Sequence, residues 1–265
     1  MNITAVITTC DRLQQLKKAV ESVENQTLSP DELIIIDDNS CDQTQEYCEN
    51  LQEISKIPVI YLRNDFRAGS NLCRNLAIER ANGEYIAFLD DDDEWLPEKL
   101  QIQYETAKKE KADLVYTGVE TVDSNGKKIS RHFHRKPALF PPKIAILTLN
   151  YPGTTSCLML KTELLRKISG FNPDYSSLQD YELSIRLIRA GASVAGVEKI
   201  LVKYGFPSSS SIVASPKKFF DAALKLLKNS PKRYVFFQLY GLTRLIMSRM
   251  KYKSFRNNLF RKEKF

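Results

Sequence analysis

No run in this chain approaches the roughly 18 consecutive apolar residues that a bilayer-crossing helix needs. Paired cysteines are also missing. Cys10, Cys41, Cys48, Cys73 and Cys157 are scattered, odd in number and form no CxxC motif. A disulfide framework and a zinc site are therefore disfavoured, and a reducing cytosol is the expected compartment. The opening MNITAVITTCDR lacks a basic segment followed by a long apolar core, so no signal peptide is expected. No GxGxxG follows the first apolar stretch and no GxxxxGK[ST] occurs, which removes a nicotinamide fingerprint and a P-loop. Charge imbalance is absent from most of the chain. The first 240 residues carry 31 basic and 31 acidic groups, so the net +7 sits in residues 241–265, where eight Lys/Arg face Glu263 alone. With a neutral main domain, nucleic acid is not an expected partner.

What is present is a regular alternation. The 265 residues suffice for one large α/β domain with an appendage. Ile3–Thr8 reads as a strand, and Asp11 is placed to cap a helix running to Glu24 with Leu13, Leu16, Ala19, Val20 and Val23 on one face. Leu33–Ile36, Val59–Leu62 and Tyr85–Leu89 read as further strands. Helices are expected between them, ending near Ile54 and over Ser70–Ala81. Strand and helix in strict alternation predict a doubly wound parallel sheet. Ligands of such sheets lie beyond the carboxyl ends of the strands. Three polar clusters fall at such ends: Thr8–Arg12, Asp37–Ser40 and Asp90–Asp93.

The third cluster is the most demanding. Four adjacent carboxylates repel one another, and burying them costs their solvation. A hard divalent cation, Mg²⁺ or Mn²⁺, offsets that repulsion and bridges readily to phosphate. On an extended chain Asp90 and Asp92 point the same way and can converge on one ion. The alternative is a solvated acidic turn capping a helix that begins near Leu96-Pro97 and runs to Glu110. Beyond it, Asp113–Val122 reads as a strand, Ser124-Asn125-Gly126 as a hairpin turn, and RHFHRK (131–136) as an exposed basic edge holding both histidines, His132 and His134. A short helix over Lys143–Asn150, a strand over Ser156–Lys161, helices over Thr162–Ser169 and Leu178–Arg189, and a strand over Ser193–Lys203 complete the main domain.

Four of these features occur in a telling order: Thr8-Thr9-Cys10-Asp11-Arg12, Asp37-Asp38-Asn39-Ser40, FLDDDDEWLPEKL, and Gly170-Phe171 followed by Asp180-Tyr181-Glu182-Leu183. With Ser22–Thr27 (SVENQT), Arg74-Asn75 and Gly83–Leu89, they resemble the family-two inverting glycosyltransferases over roughly residues 3–205. The resemblance implies a GT-A fold: α/β, Rossmann-like, with a mostly parallel sheet flanked by helices. Residues 1–215 would be the catalytic domain, with a nucleotide-binding half to about residue 95 and an acceptor half over 96–215, and 216–265 a basic helical extension. It implies a metal-dependent transfer from a nucleotide-sugar, a UDP-sugar, to a hydroxyl of a lipid-linked or free glycan in capsule, O-antigen or other surface polysaccharide synthesis. Asp38 would accept the uracil N–H, Thr8, Thr9, Asp11 and Arg12 would lie against base and ribose, and Asn64 and Arg74 near base or diphosphate. Asp90 and Asp92 resemble the DxD pair, Asp92 on the metal and Asp90 near ribose and metal, with Asp91 beside them. Asp180 resembles the catalytic base. Asp93, Trp95 and Gln179 would border the sugar.

The chain departs from the family where Thr8-Thr9-Cys10-Asp11 replaces the usual Pro-Thr-Tyr-Asn, so the aromatic that would stack on the base is missing at Cys10. Gln179 stands where a glutamate usual to the family would precede Asp180. Structural readings stand beside each role: Asp38 as a strand end, Arg74 as a salt-bridging helix residue, Asp180 as a helix N-terminal acid, and Trp95 as core. Two other classes compete, a non-catalytic metal- and nucleotide-binding scaffold and a nucleotidyltransferase. The latter should carry a glycine-rich basic loop after the first strand, which is missing here. In the tail, Ser230–Lys253 can be drawn as a helix with Tyr234, Phe237, Leu242, Leu245 and Ile246 apolar and Arg244, Arg249 and Lys251 polar. It reads either as a peripheral membrane contact through 231–265, on the inner face of the cytoplasmic membrane, or as a helix packed on the domain.

Overall fold

The fold comes from a computed structural model and is described for residues 2–122, 128–133, 135–205 and 216–247. The first half alternates as expected: β1 (Ile3–Thr9), α1 (Leu13–Glu24), β2 (Glu32–Asp37), α2 (Thr44–Ile54), β3 (Val59–Arg63), α3 (Ser70–Arg80) and β4 (Tyr85–Asp90). Then come β5 (Asp93–Trp95), α4 (Lys99–Glu110), β6 (Leu114–Val122), β7 (Lys128–His132), α5 (Pro142–Thr148), β8 (Leu158–Lys161), α6 (Thr162–Lys167), α7 (Gln179–Arg189), β9 (Val194–Gly205) and α8 (Pro216–Lys228). A final helix, α9, covers 235–247.

The strands form one sheet in the order β3-β2-β1-β4-β8-β6-β9-β5, with β7 paired to β6. The first four strands are parallel, in the register Thr9↔Asp37, Thr8↔Asp90 and Asp37↔Arg63. This register brings the ends of all four to one rim. Beyond β4 the pairing is mixed: β8 is antiparallel to β4 and β6, and β6 runs parallel to β9. The middles of the parallel strands are continuously apolar, as in Leu33–Ile36 and Tyr85–Leu89, because both faces are covered. Ile34, Ile36, Ile86 and Phe88 face one core with α3, α5, α6, α7 and α8. Leu33, Ile35, Ala87 and Leu89 face the other with α1, α2 and α4. The sheet alternation of period two thus divides a continuous apolar run between two cores.

Some boundaries differ from the sequence reading. Asp11 does not cap α1. Its backbone is left-handed (φ 53°), Arg12 takes the cap position, and Asp42 Oδ2 accepts the Leu13 N–H at 3.2 Å. The helix expected from Leu96 starts at Lys99, because Asp93–Trp95 is drawn into the sheet against β9, pairing Asp93 with Tyr204 and Trp95 with Val202. SVENQT holds this short strand. Ser22 Oγ accepts the Trp95 N–H (3.1 Å), and the Gln26 amide donates to Leu96 O and accepts from Leu100 N, both at 3.0 Å. The β6–β7 pairing fits the expected hairpin, whose turn Ser124–Gly126, like His134, lies outside the described residues.

The helix drawn from Ser230 begins at 235, after a break over 229–234 that separates it from α8. Phe219, Ala222, Ala223, Leu226 and Leu242 are buried in the core that faces α7, with Tyr234, Phe237 and Leu245 packed against it. The apolar stripe drawn from the sequence is therefore the stripe that packs on the domain. The Arg249 and Lys251 part of that reading lies outside the described residues. Among the described residues no helix is long and apolar enough to cross a membrane.

Candidate active site

The rim of β1–β4 is tied together by its own polar groups. Asp38 accepts Asn64 Nδ2–H (2.9 Å) and Ala68 N–H (2.7 Å) on Oδ1 and Gly69 N–H (2.8 Å) on Oδ2. Burial alone would raise its pKa, but the hydrogen bonds from Asn64, Ala68, Gly69 and Cys73 hold it below the usual carboxylate range. Asp38 is thus a charged acceptor held in place by four donors at the rim. Thr8 and Thr9 are buried at the end of β1, and Thr9 O receives the Asp38 N–H at 2.9 Å. Asp11 accepts the Cys41 N–H at 2.6 Å and pairs with Arg67. Cys10 Sγ donates to Asp38 O at 3.3 Å.

The four aspartates separate into two pairs. The side chains of Asp90 and Asp92 are 28% and 39% exposed, whereas that of Asp91 is sealed and Asp93 is 1% exposed. Asp91 and Asp92 form the turn between β4 and β5, and this turn puts neighbouring carboxylates on opposite sides. Asp90 receives Arg74 Nη2–H at 2.6 Å. Arg12 bridges Asp91 (2.6 Å) and Asp92 (3.1 Å). Burial raises Asp91 to about 7 against the pull of Arg12. Burial and the neighbouring Asp90 charge raise Asp92. Asp93, expected beside the sugar, is an anchor instead. Its oxygens accept Ser156 Oγ–H (2.5 Å) and Gly205 N–H (3.1 Å). Trp95, expected to wall the sugar pocket, is core: it is 3% exposed, and its indole N–H donates to Ser156 O at 3.0 Å.

Among the described residues no three His, Cys, Asp or Glu side chains converge as a metal cage. Asp90 and Asp92 supply hard oxygens from one exposed edge, and like-charge stress already raises Asp92. That donor set fits Mg²⁺ or Mn²⁺, which take one or two carboxylates and complete their shell with phosphate oxygens and water.

Asp180 arrives from the other half of the chain, and α3 brings it. Asn75 clamps Phe171 in both directions, donating to its O (2.8 Å) and accepting its N–H (2.7 Å). Asn71 donates to Asn172 O and Tyr175 O, both at 2.8 Å. Phe171 packs edge-on to Phe88 (5.3 Å) and under the Arg74 guanidinium (5.2 Å). The clamped loop delivers Asp180 to the first turn of α7, where its Oδ1 accepts the Tyr181 N–H at 2.7 Å. Burial pushes its pKa to about 6, helped by Asp90 and opposed by the Tyr181 N–H and Arg74. Gln179 borders a neighbouring cleft of about 270 Å³ with Ala68, Gly69, Asn71, Tyr175 and Lys218. Two site residues escaped the sequence reading. Ser156 ties Asp93 to the Asp90 backbone (3.1 Å), and nothing in the Thr-rich stretch around it marks that role. The Tyr204 hydroxyl is kept protonated by burial and by the charges of Asp93, Asp92, Asp90 and Asp180.

A parallel half-sheet with acids along its rim, a mixed half beyond it, and a carboxylate carried across from the second half define a GT-A sugar transferase. The profile of Glycosyl transferase family 2 matches residues 4–169, and the chain belongs to that family. It is similar to TuaG of Bacillus subtilis (strain 168), a glycosyltransferase named for teichuronic acid biosynthesis. The two are 29% identical over 198 residues, covering 74% of this chain and 75% of that one. WcaA of Escherichia coli (strain K12), named for colanic acid biosynthesis, is 28% identical over 256 residues, covering 91% and 88%. Among solved structures, S. aureus TarS 1–349 in complex with UDP-GlcNAc has the same fold, with a TM-score of 0.70 at 18% identity over 92% of this chain and 72% of that one. The protein is a glycosyltransferase, and the scaffold and nucleotidyltransferase readings are set aside.

Proposed function

We propose that this enzyme transfers a sugar from a UDP-sugar to a hydroxyl of a glycan acceptor in surface polysaccharide synthesis, by one direct displacement that inverts the anomeric carbon. The observation that carries the reading is Asp180. It is a half-buried carboxylate with a pKa of about 6, under the influence of Asp90 and Arg74. A base poised near the working pH, across from a leaving-group site, is what deprotonation of an acceptor hydroxyl requires. The names of TuaG and WcaA support the polymer class, and the UDP-GlcNAc complex of TarS supports the donor class.

The remaining roles follow from the rim. Charged Asp38 accepts a base N–H, while Asn64, Ala68 and Gly69 hold the carboxylate in place. Asp11 and Arg12 line the nucleoside side, and Thr8 and Thr9 position them. Arg74, tied to Asp90, faces the diphosphate. Asp90 and Asp92 would hold a divalent cation, which offsets charge on the departing nucleoside diphosphate. The nucleotide half is residues 1–95, the acceptor half 96–215. Screening UDP- and GDP-sugars for donor hydrolysis, with and without Mn²⁺, tests the reading. UDP-sugars should be cleaved in a metal-dependent way that Asp92→Ala abolishes. Cleavage of GDP-sugars alone would overturn the donor assignment, and undiminished cleavage in chelator would overturn the metal role.

A further inference from the structure

The packing of the tail leaves a second apolar face uncovered. In α9 the stripe Phe237, Leu242 and Leu245 turns into the domain, and Gly241 lies so close to Leu147 O that a Cβ would not fit. The opposite side carries Phe236 (76% exposed), Leu239, Tyr240 and Met247, at helical spacing along one face. In α8, Phe219, Ala222, Ala223 and Leu226 go inward, while Phe220 and Leu224, one turn apart, stay out. The two helices lie on the same core, and Ser230 Oγ bonds Gln238 across their junction (3.4 Å). Large aromatic and aliphatic side chains are thus displayed by two elements whose own core is already satisfied. Exposed apolar patches of this kind mark contact sites.

The surrounding charge selects the partner. Residues 216–265 hold fourteen Lys/Arg against Asp221 and Glu263, so residues 1–215 are net negative, with 25 basic and 30 acidic groups. Lys217 and Lys228 flank Phe220 and Leu224 on α8, and Lys232, Arg233 and Arg244 flank the apolar face of α9. Two copies meeting face to face would oppose like charges. Aromatic and aliphatic groups ringed by Lys and Arg match an anionic bilayer surface, with apolar side chains in the acyl boundary and cations among the headgroups. The face also adjoins the active site. Lys218 of α8 lines the cleft shared by Gly69, whose N–H binds Asp38, and Gln179, the neighbour of Asp180.

We propose that the outward face of α8 and α9 docks the enzyme on an anionic membrane, and that the Gln179–Lys218 cleft thereby receives an acceptor glycan carried on a membrane lipid. This rests on the glycosyltransferase reading for its acceptor half alone. Docking brings the cleft to the headgroup layer, where a lipid-borne acceptor presents its sugar hydroxyls. A free glycan would gain nothing from it.

The full chain is floated with vesicles of phosphatidylcholine alone or mixed with phosphatidylglycerol, at low and high salt. The variants Phe236→Ser/Tyr240→Ser and Lys232→Glu/Arg233→Glu are run beside it, all substituted at exposed positions. The expected result is binding to the anionic vesicles only, weakened by salt, and reduced on the order of tenfold or more by either variant. Melting temperature and hydrolysis of a soluble UDP-sugar should stay unchanged. Binding to neither vesicle, or equal binding by the variants, overturns the proposal. So does a concentration-dependent dimer that the Phe236→Ser/Tyr240→Ser variant dissociates, which would assign the face to a second copy. Loss of donor hydrolysis in the wild type would instead count against the enzyme reading, independently of flotation.

Discussion

Asp180, half-buried, and Lys99, fully buried, are both ionisable groups shifted by their surroundings, and their environments lead to opposite uses. For Asp180, burial outweighs the first-turn N–H and Arg74 and brings the carboxyl to about 6. The ionised form accepts a proton, so kcat/KM should rise with pH through about 6 and then level. Asp180→Asn should remove that limb and lower kcat by about 10²- to 10⁴-fold with donor binding retained. A pH–rate profile beside UDP-sugar titration reads both, and a profile that keeps its limb in the variant would exclude Asp180 as the base. Lys99 is fully buried, with no hydrogen-bond acceptor for its ammonium among the described residues and the Trp95 ring beneath it at 4.1 Å. Burial lowers its pKa to about 7. Between about 7 and the ordinary lysine value, the unfolded chain holds a proton that the folded chain has released. Stability attributable to this site therefore rises with pH across that window. Lys99→Met should flatten the slope and gain about 1 to 3 kcal/mol at pH 7 by removing an unsatisfied buried group. Denaturant titration at two pH values measures it. No sequence pattern marks this lysine, since EKL reads as an ordinary solvated helix start.

At the scale of elements, α3 decides whether the second half of the site exists. Its N-terminal turn abuts Asp38 through Gly69. Its buried face holds Arg74 on Asp90, and Asn71 and Asn75 hold the loop that ends in Asp180. Gly170 permits the clamp, because its φ of +62° is left-handed and a Cβ would collide with Asn75 Oδ1. Gly170→Ala should cost at least about 1 to 2 kcal/mol from the backbone alone. It should lower kcat more than it raises donor KM, because Asp180 moves while the nucleotide rim stays. Steady-state kinetics and thermal melting together separate these effects, and a pure KM change would place the loop on the donor side. Arg74-Asn75 and Gly170-Phe171 were visible in the sequence as separate fragments. Their contact across almost a hundred residues was not. β5 escaped for the same reason: three residues beginning with the last aspartate of the run carry no period of their own, and pairing with β9 makes them a strand.

For the whole molecule, the basic extension is part of the core as well as an outer surface. Phe219, Leu226 and Leu242 are buried among residues of α5 and α7. A chain ending at residue 215 should lose about 5 kcal/mol or more, counting about 1.5 to 3 kcal/mol for each large side chain uncovered. It should melt lower or aggregate, which differential scanning calorimetry would reveal. A truncation meant to test membrane contact by removing α8 and α9 would thus confuse folding with docking, and surface substitutions are the cleaner route.

The alternation of strands and helices from β1 to β4, the rim at the strand ends and the acids placed there were all determined by the sequence itself. Apolar periodicity and turn residues act over a few positions and are written locally. Tertiary structure decided which side each group faces. It turned Asp90 and Asp92 outward and sealed Asp91 and Asp93. It placed Trp95 in the core and brought Asp180 under the influence of Asp90. It also chose, between two apolar stripes on the last helix, the one that packs inward. Burial and charge at those positions depend on partners far away in the chain, and a linear pattern carries no record of them.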